Sequence, residues 1–124
     1  MNETIIYIGA GIIILWGIAH IIPTKNIVKG FGAISEDNKK VLTMEVIAEG
    51  LTLIFLGVLP LLVTALSDFQ NSAAHIVYIS SAMMLLVMAL VTLFTGARTP
   101  VIWYKICPVV KTTVAVLFIL VAVL

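Results

Sequence analysis

Val41–Leu66 reads VLTMEVIAEGLTLIFLGVLPLLVTAL, an apolar run long enough to cross a bilayer, in which two carboxylates, Glu45 and Glu49, stand four residues apart. Residues i and i+4 share one face of a helix. A charge at membrane depth is costly and is kept where it faces a bundle interior, a partner or a water-filled cavity. What Glu45 and Glu49 face therefore decides both the packing of this helix and its chemistry.

Hydrophobic residues make up 62% of the 124 and charged residues 10%, against roughly 45–50% and 25% in soluble domains. This is the composition of an integral membrane protein in a lipid bilayer. The length accommodates four spans of about 20 residues with short connections, so one domain, 1–124, is expected, with no separate soluble module. A net charge of +1 gives no reason to expect nucleic acid as a partner. Cys107 has no second cysteine to pair with, and in its apolar run it reads as a small buried hydrophobe rather than a redox thiol or metal ligand. The first apolar run begins almost at once, without a basic n-region or a small-residue cleavage site, and is read as a retained span.

The fold class expected is all-α, a four-transmembrane-helix up-and-down bundle with spans at about 4–22, 41–66, 73–95 and 101–124. Pro23 ends the first span, whose Gly9, Gly17 and His20 fall near one face and carry the histidine into the bundle. The following loop mixes Lys25, Lys29, Lys39 and Lys40 with Ile27, Val28, Phe31 and Ile34, as suits a segment lying on the membrane surface or tucked back against the bundle, its lysines reaching to headgroups. Ser35-Glu36-Asp37-Asn38 is a helix start, with Ser35 as cap and acids in the first turn. In span three, Ser81, Met84, Met88, Thr92 and Thr95 recur at helical spacing, which reads as helix packing. Trp103 and Tyr104 read as an aromatic belt at the start of span four.

The loops after spans one and three hold Lys25, Lys29, Lys39, Lys40 and Arg98, whereas the turn 67–72 holds no Lys or Arg. By the positive-inside rule the basic loops are cytoplasmic and both termini outside, in a cell membrane of the bacterial inner-membrane type. At about 1.5 Å per residue, Glu45 and Lys105 lie about 6 Å deep, Glu49 about 12 Å and Lys111 about 15 Å. The expected pairs are Glu45 with Lys105 and Glu49 with Lys111, with His20 and Arg98 nearer the surface and Thr52 just beyond. Pro108 removes the usual partner of the Tyr104 carbonyl at this same depth, which calls for a donor, water or a cavity.

Glu45, Glu49, His20, Lys105, Lys111, Arg98, Thr52 and Tyr104 are more polar groups than helix register requires, and they are read as a ligand-binding pocket. The bland reading is a buried ion pair that fixes helix order. No metal is expected, because lysines compete for the carboxylate oxygens. Haem is disfavoured, because His20 and His75 fall near opposite membrane faces. No nucleophile-and-base motif or phosphate loop is present, so whether the chain is an enzyme stays open.

Gly17-Ile18-Ala19-His20 at the end of span one, Pro23 in the loop, and Glu45-x-x-x-Glu49-Gly50-Leu51-x-Leu53 with Gly57 resemble the DoxX-like group of small four-helix membrane proteins. The resemblance covers roughly the first half of the chain. It implies a four-helix up-and-down bundle with Glu49, Gly50 and His20 at matching positions, in a group with members associated with respiratory or thiol oxidoreductase complexes as accessory subunits. The lone Cys107 stands against a direct thiol-redox role.

Three functional expectations follow. The first is a cytoplasmic-side pocket for a small or lipid-like ligand, with proton coupling through Glu45 and Glu49. A second is an accessory subunit of a membrane oxidoreductase, acting near quinone. The third is a structural or homo-oligomerising module within a membrane complex. The sidedness is tested by placing a cysteine at Asn71 in intact cells: an impermeant maleimide should label it from outside, and labelling only after lysis contradicts the assignment.

Overall fold

The computed structural model describes residues 2–68 and 70–124. Its helices are α1 (Asn2–Ile21), α2 (Thr24–Lys29), α3 (Glu36–Leu66), α4 (Ser72–Phe94) and α5 (Ile102–Val123), with a 3-10 turn at Gly96–Arg98 before α5. Four of them, α1, α3, α4 and α5, are long and apolar enough to cross a bilayer. The chain is an all-α four-helix bundle and a multi-pass membrane protein.

Local chemistry sets the helix ends. Ser35 accepts a hydrogen bond from the Asn38 amide at 3.1 Å, and Glu36 and Asp37 occupy the first turn of α3. Asn71 accepts from the Ala73 amide at 2.8 Å and caps α4. The expected turn at 67–72 includes Phe69, which lies outside the described residues. The loop after α1 folds back as α2, which buries Val28 and packs on α3. Both internal prolines, Pro60 and Pro108, are carried inside helices.

Around the bundle the order is α1, α3, α4, α5, with α5 closing back on α1. α1 and α3 form one closely packed pair, α4 and α5 the other, and the α3–α4 seam is the sparsest of the four. Ile6, Ile13, Leu53, Tyr78, Leu85, Val114 and Phe118 fill the centre without exposure, while Leu15, Phe55, Leu90 and Val109 face outward, as lipid requires. At the end away from the basic loops, Thr64 donates to the Pro60 carbonyl at 2.7 Å and so accepts from the Tyr78 hydroxyl at 2.6 Å, joining α3 to α4.

Glycines set the α1–α3 distance. A Cβ on Gly17 would lie 2.7 Å from the Gly50 carbonyl oxygen, and one on Gly57 would lie 2.9 Å from the Ala10 carbonyl oxygen. Neither backbone can retreat without parting the helices. Gly17→Leu is therefore expected to cost about 1–3 kcal/mol, read as a lower thermal midpoint in detergent. Gly11→Ala, where a Cβ meets nothing within 4 Å, is the control and should leave the midpoint unchanged or raise it slightly.

Candidate functional site

One side chain from each of the four spanning helices meets near the basic end of the bundle. The Glu49 carboxylate on α3 accepts from Lys111 Nζ on α5 at 2.5 Å through Oε1, and from His20 Nε2 on α1 at 2.9 Å through Oε2. Lys111 donates also to Thr92 Oγ1 on α4 at 2.9 Å, and the Thr92 hydroxyl donates to the Met88 carbonyl. Lys111 has no exposure and His20 only 8%. The Glu49 side chain retains 30%.

Packing places these groups. Gly50 follows Glu49 on the strip of α3 that touches Gly17, and His20 lies one turn beyond Gly17 on α1. The close glycine contact thus brings the imidazole to the carboxylate. Side chains on a helix lean toward its N-terminus. α3 and α5 start at the basic end, so Glu49 and Lys111 lean toward it; α1 and α4 end there, so His20 and Thr92 lean inward. Residues whose Cα atoms differ in depth therefore converge at one level.

The other expected pair does not form. Lys105 is exposed on α5, which stands across the bundle from α3, and no ion pair joins it to Glu45 among the described residues. Glu45 is exposed at the rim of a groove rather than facing a lysine. Arg98 also stays outside the network and rests over the Phe94 ring, 5.2 Å from its centroid. The expected cluster of eight is thus a core of His20, Glu49 and Lys111, with Glu45, Thr52 and Tyr104 on a groove surface and Arg98 and Lys105 apart.

Thr92 is the one member of the network that the sequence assigns to helix packing rather than to the site. In sequence its hydroxyl looks like any serine or threonine bonding its own i−4 carbonyl in an apolar helix. Only its meeting with Lys111 distinguishes it. Cys107 is fully buried, as expected, and in addition accepts the Trp16 indole N–H at 3.2 Å, which joins α1 directly to α5.

Two openings flank the network. Between α3 and α4 runs a groove of about 490 Å³ that reaches Glu45, Glu49, Thr52, Thr92, Thr95 and Tyr104 on its polar side. Between α1 and α5 lies a cleft of about 370 Å³ lined by Trp16, Ala19, His20, Trp103 and Tyr104 among others. Tyr104 borders both, with its ring tilted 53° to that of His20 at a centroid distance of 5.7 Å. The Glu49–His20 hydrogen bond is thus a polar partition between groove and cleft. Comparison with protein-family models, curated proteins and solved structures gives no match for this chain.

Removing one member of a buried ion pair strands the other, at a cost of about 3–5 kcal/mol. Glu49→Gln and Lys111→Met are each expected to lower unfolding stability in detergent by that order. Together they should recover part of the loss; purely additive losses contradict the pairing.

Proposed function

We propose that this protein, in a bacterial-type inner membrane, binds a lipid-like amphiphile in the α3–α4 groove and couples that binding to a proton held between Glu49 and His20. The carrying observation is the partial opening of Glu49. A carboxylate that only registered four helices would be sealed on every side, whereas this one keeps 30% of its side chain open to a groove. The lysine-rich loop and Arg98 support a cytoplasmic assignment for that end, with both termini outside, under the positive-inside rule.

The chemistry needs no covalent step. A ligand head that engages Glu49 competes with His20 for the Oε2 lone pairs, and the proton on that hydrogen bond then stays with the imidazole. From His20 it can leave through the α1–α5 cleft, which the imidazole lines. Lys111 remains as the fixed countercharge, held by Glu49 and Thr92.

The cleft favours a second reading. Trp16, Trp103 and Tyr104 offer faces for a planar ring, and His20 offers a donor to its carbonyl. A quinone head has that chemistry, and the DoxX-like resemblance points to the same class, an accessory subunit of a membrane oxidoreductase.

Two substitutions separate the readings. Organic extracts of protein purified from its own membrane should contain a retained amphiphile that Ala48→Phe, filling the groove, removes and Ala19→Phe, filling the cleft, does not. Loss with Ala19→Phe alone, together with a quinone absorbance in the extract, transfers the assignment to the second reading. Retention unaffected by either change, or none in the unaltered protein, overturns both. Proton coupling requires that binding take up or release protons, read as a pH change in weakly buffered solution; binding with no proton exchange contradicts it.

A further inference from the structure

The polar lining of the α3–α4 groove is almost wholly acceptor. A hydroxyl has one proton to give, and each threonine on this surface has given it to its own helix. Thr52 donates to the Ala48 carbonyl at 2.8 Å, Thr92 to that of Met88 at 2.9 Å and Thr95 to that of Val91 at 2.6 Å. Their oxygens are left with lone pairs alone, and Thr92 already receives Lys111. Glu45 and Glu49 are acceptors by nature. The Tyr104 phenol is the one side-chain donor among the polar groups lining the groove.

Charge points the same way. Glu49 is balanced by Lys111, whereas Glu45, on the same groove, has no ion-pair partner among the described residues. Arg98 and Lys105 do not line it. An uncompensated carboxylate beside a wall made almost wholly of acceptors attracts a cation that donates hydrogen bonds and repels an anion.

The apolar side defines the rest of the occupant. Met84, Val87, Met88 and Val91 on α4 continue the groove away from Thr95, a path of about 16 Å at 1.5 Å per residue. That is the shape of a single extended chain. Methionine and valine offer it a yielding apolar track, and nothing along that track would donate to a phosphate.

Resting on the groove reading above, we infer that the occupant is a single-chain amphiphile with an ammonium head, its head held between Glu45 and the open side of Glu49 with the threonine oxygens around it, and its tail along α4. This excludes fatty acids, alkyl phosphates and phospholipids whose phosphate would have to enter the acceptor surface.

The test is equilibrium binding to the purified protein in a neutral detergent, with empty micelles as blank, using radiolabelled dodecylamine, dodecanol and dodecyl phosphate. The amine should bind at least about tenfold more tightly than the alcohol or the phosphate, and Glu45→Gln should abolish that margin, a loss of about tenfold. Glu45 lies outside the four-helix network, so this change leaves the fold in place. Equal binding of all three, or a margin that survives Glu45→Gln, overturns the ammonium assignment and leaves the groove reading standing. Binding of none of them, or binding that Ala48→Phe does not reduce, overturns both.

Discussion

The rest of the structure depends on the Glu49 carboxylate receiving two donors from opposite sides, the Lys111 ammonium through one oxygen and the His20 imidazole through the other. In a bilayer the apolar faces of the helices gain little from touching one another, because lipid is as apolar as leucine. Association must come from close packing and from polar groups with no better alternative. Here both act at one level. Lys111 has no exposure, so its charge is tolerable only while Glu49 and Thr92 hold it, and those two belong to α3 and α4. His20 then ties α1 to the same carboxylate.

The glycine seam makes this geometry available. Backbone contact at Gly17 and Gly50 draws α1 against α3 beside Glu49, and the Ala10–Gly57 contact holds the pair together farther along. By contrast, α3 and α4 meet sparsely, and the groove lies along that seam. A tight pair on one side and a loose seam on the other leave one edge of a sealed network accessible. That asymmetry underlies the functional proposal: the ion pair gives the bundle its register, and the loose seam exposes part of it to a ligand.

Much of the fold is legible in the sequence. Four apolar runs, the Ser35 cap and the Pro23 stop predict the spans to within a few residues, save that α3 extends back to Glu36, where the cap marks its start. Within the site, Glu49, Lys111 and His20 stand out because a charge in an apolar run is costly and persists only where a partner or a function holds it. Glu45 and Lys105 do not pair because equal depth is not contact: they stand on α3 and α5, which lie across the bundle from one another, and both side chains are exposed. Thr92 reads in the sequence only as part of a packing stripe for a different reason: a hydroxyl in a helix normally satisfies itself, and only the three-dimensional meeting with Lys111 gives it a role. The α3–α4 groove arises from unequal helix spacing, which no single residue encodes.

The central claim is that Glu49 and Lys111 are in direct contact inside the bilayer, and it can be measured as a distance. Magic-angle-spinning NMR of the protein in lipid bilayers, with labelled lysine nitrogen and glutamate carboxyl carbon, reports dipolar coupling between the Lys111 ammonium and a glutamate carboxyl. An N···O contact of 2.5 Å predicts strong dephasing of one buried carboxyl signal, lost in Glu49→Gln and in Lys111→Met. Strong dephasing at the Lys111 ammonium that survives Glu49→Gln, or a Lys111 ammonium with no carboxyl in range, would contradict it; the exposed Lys39–Glu36 pair, at 3.0 Å, is a separate signal that neither change removes.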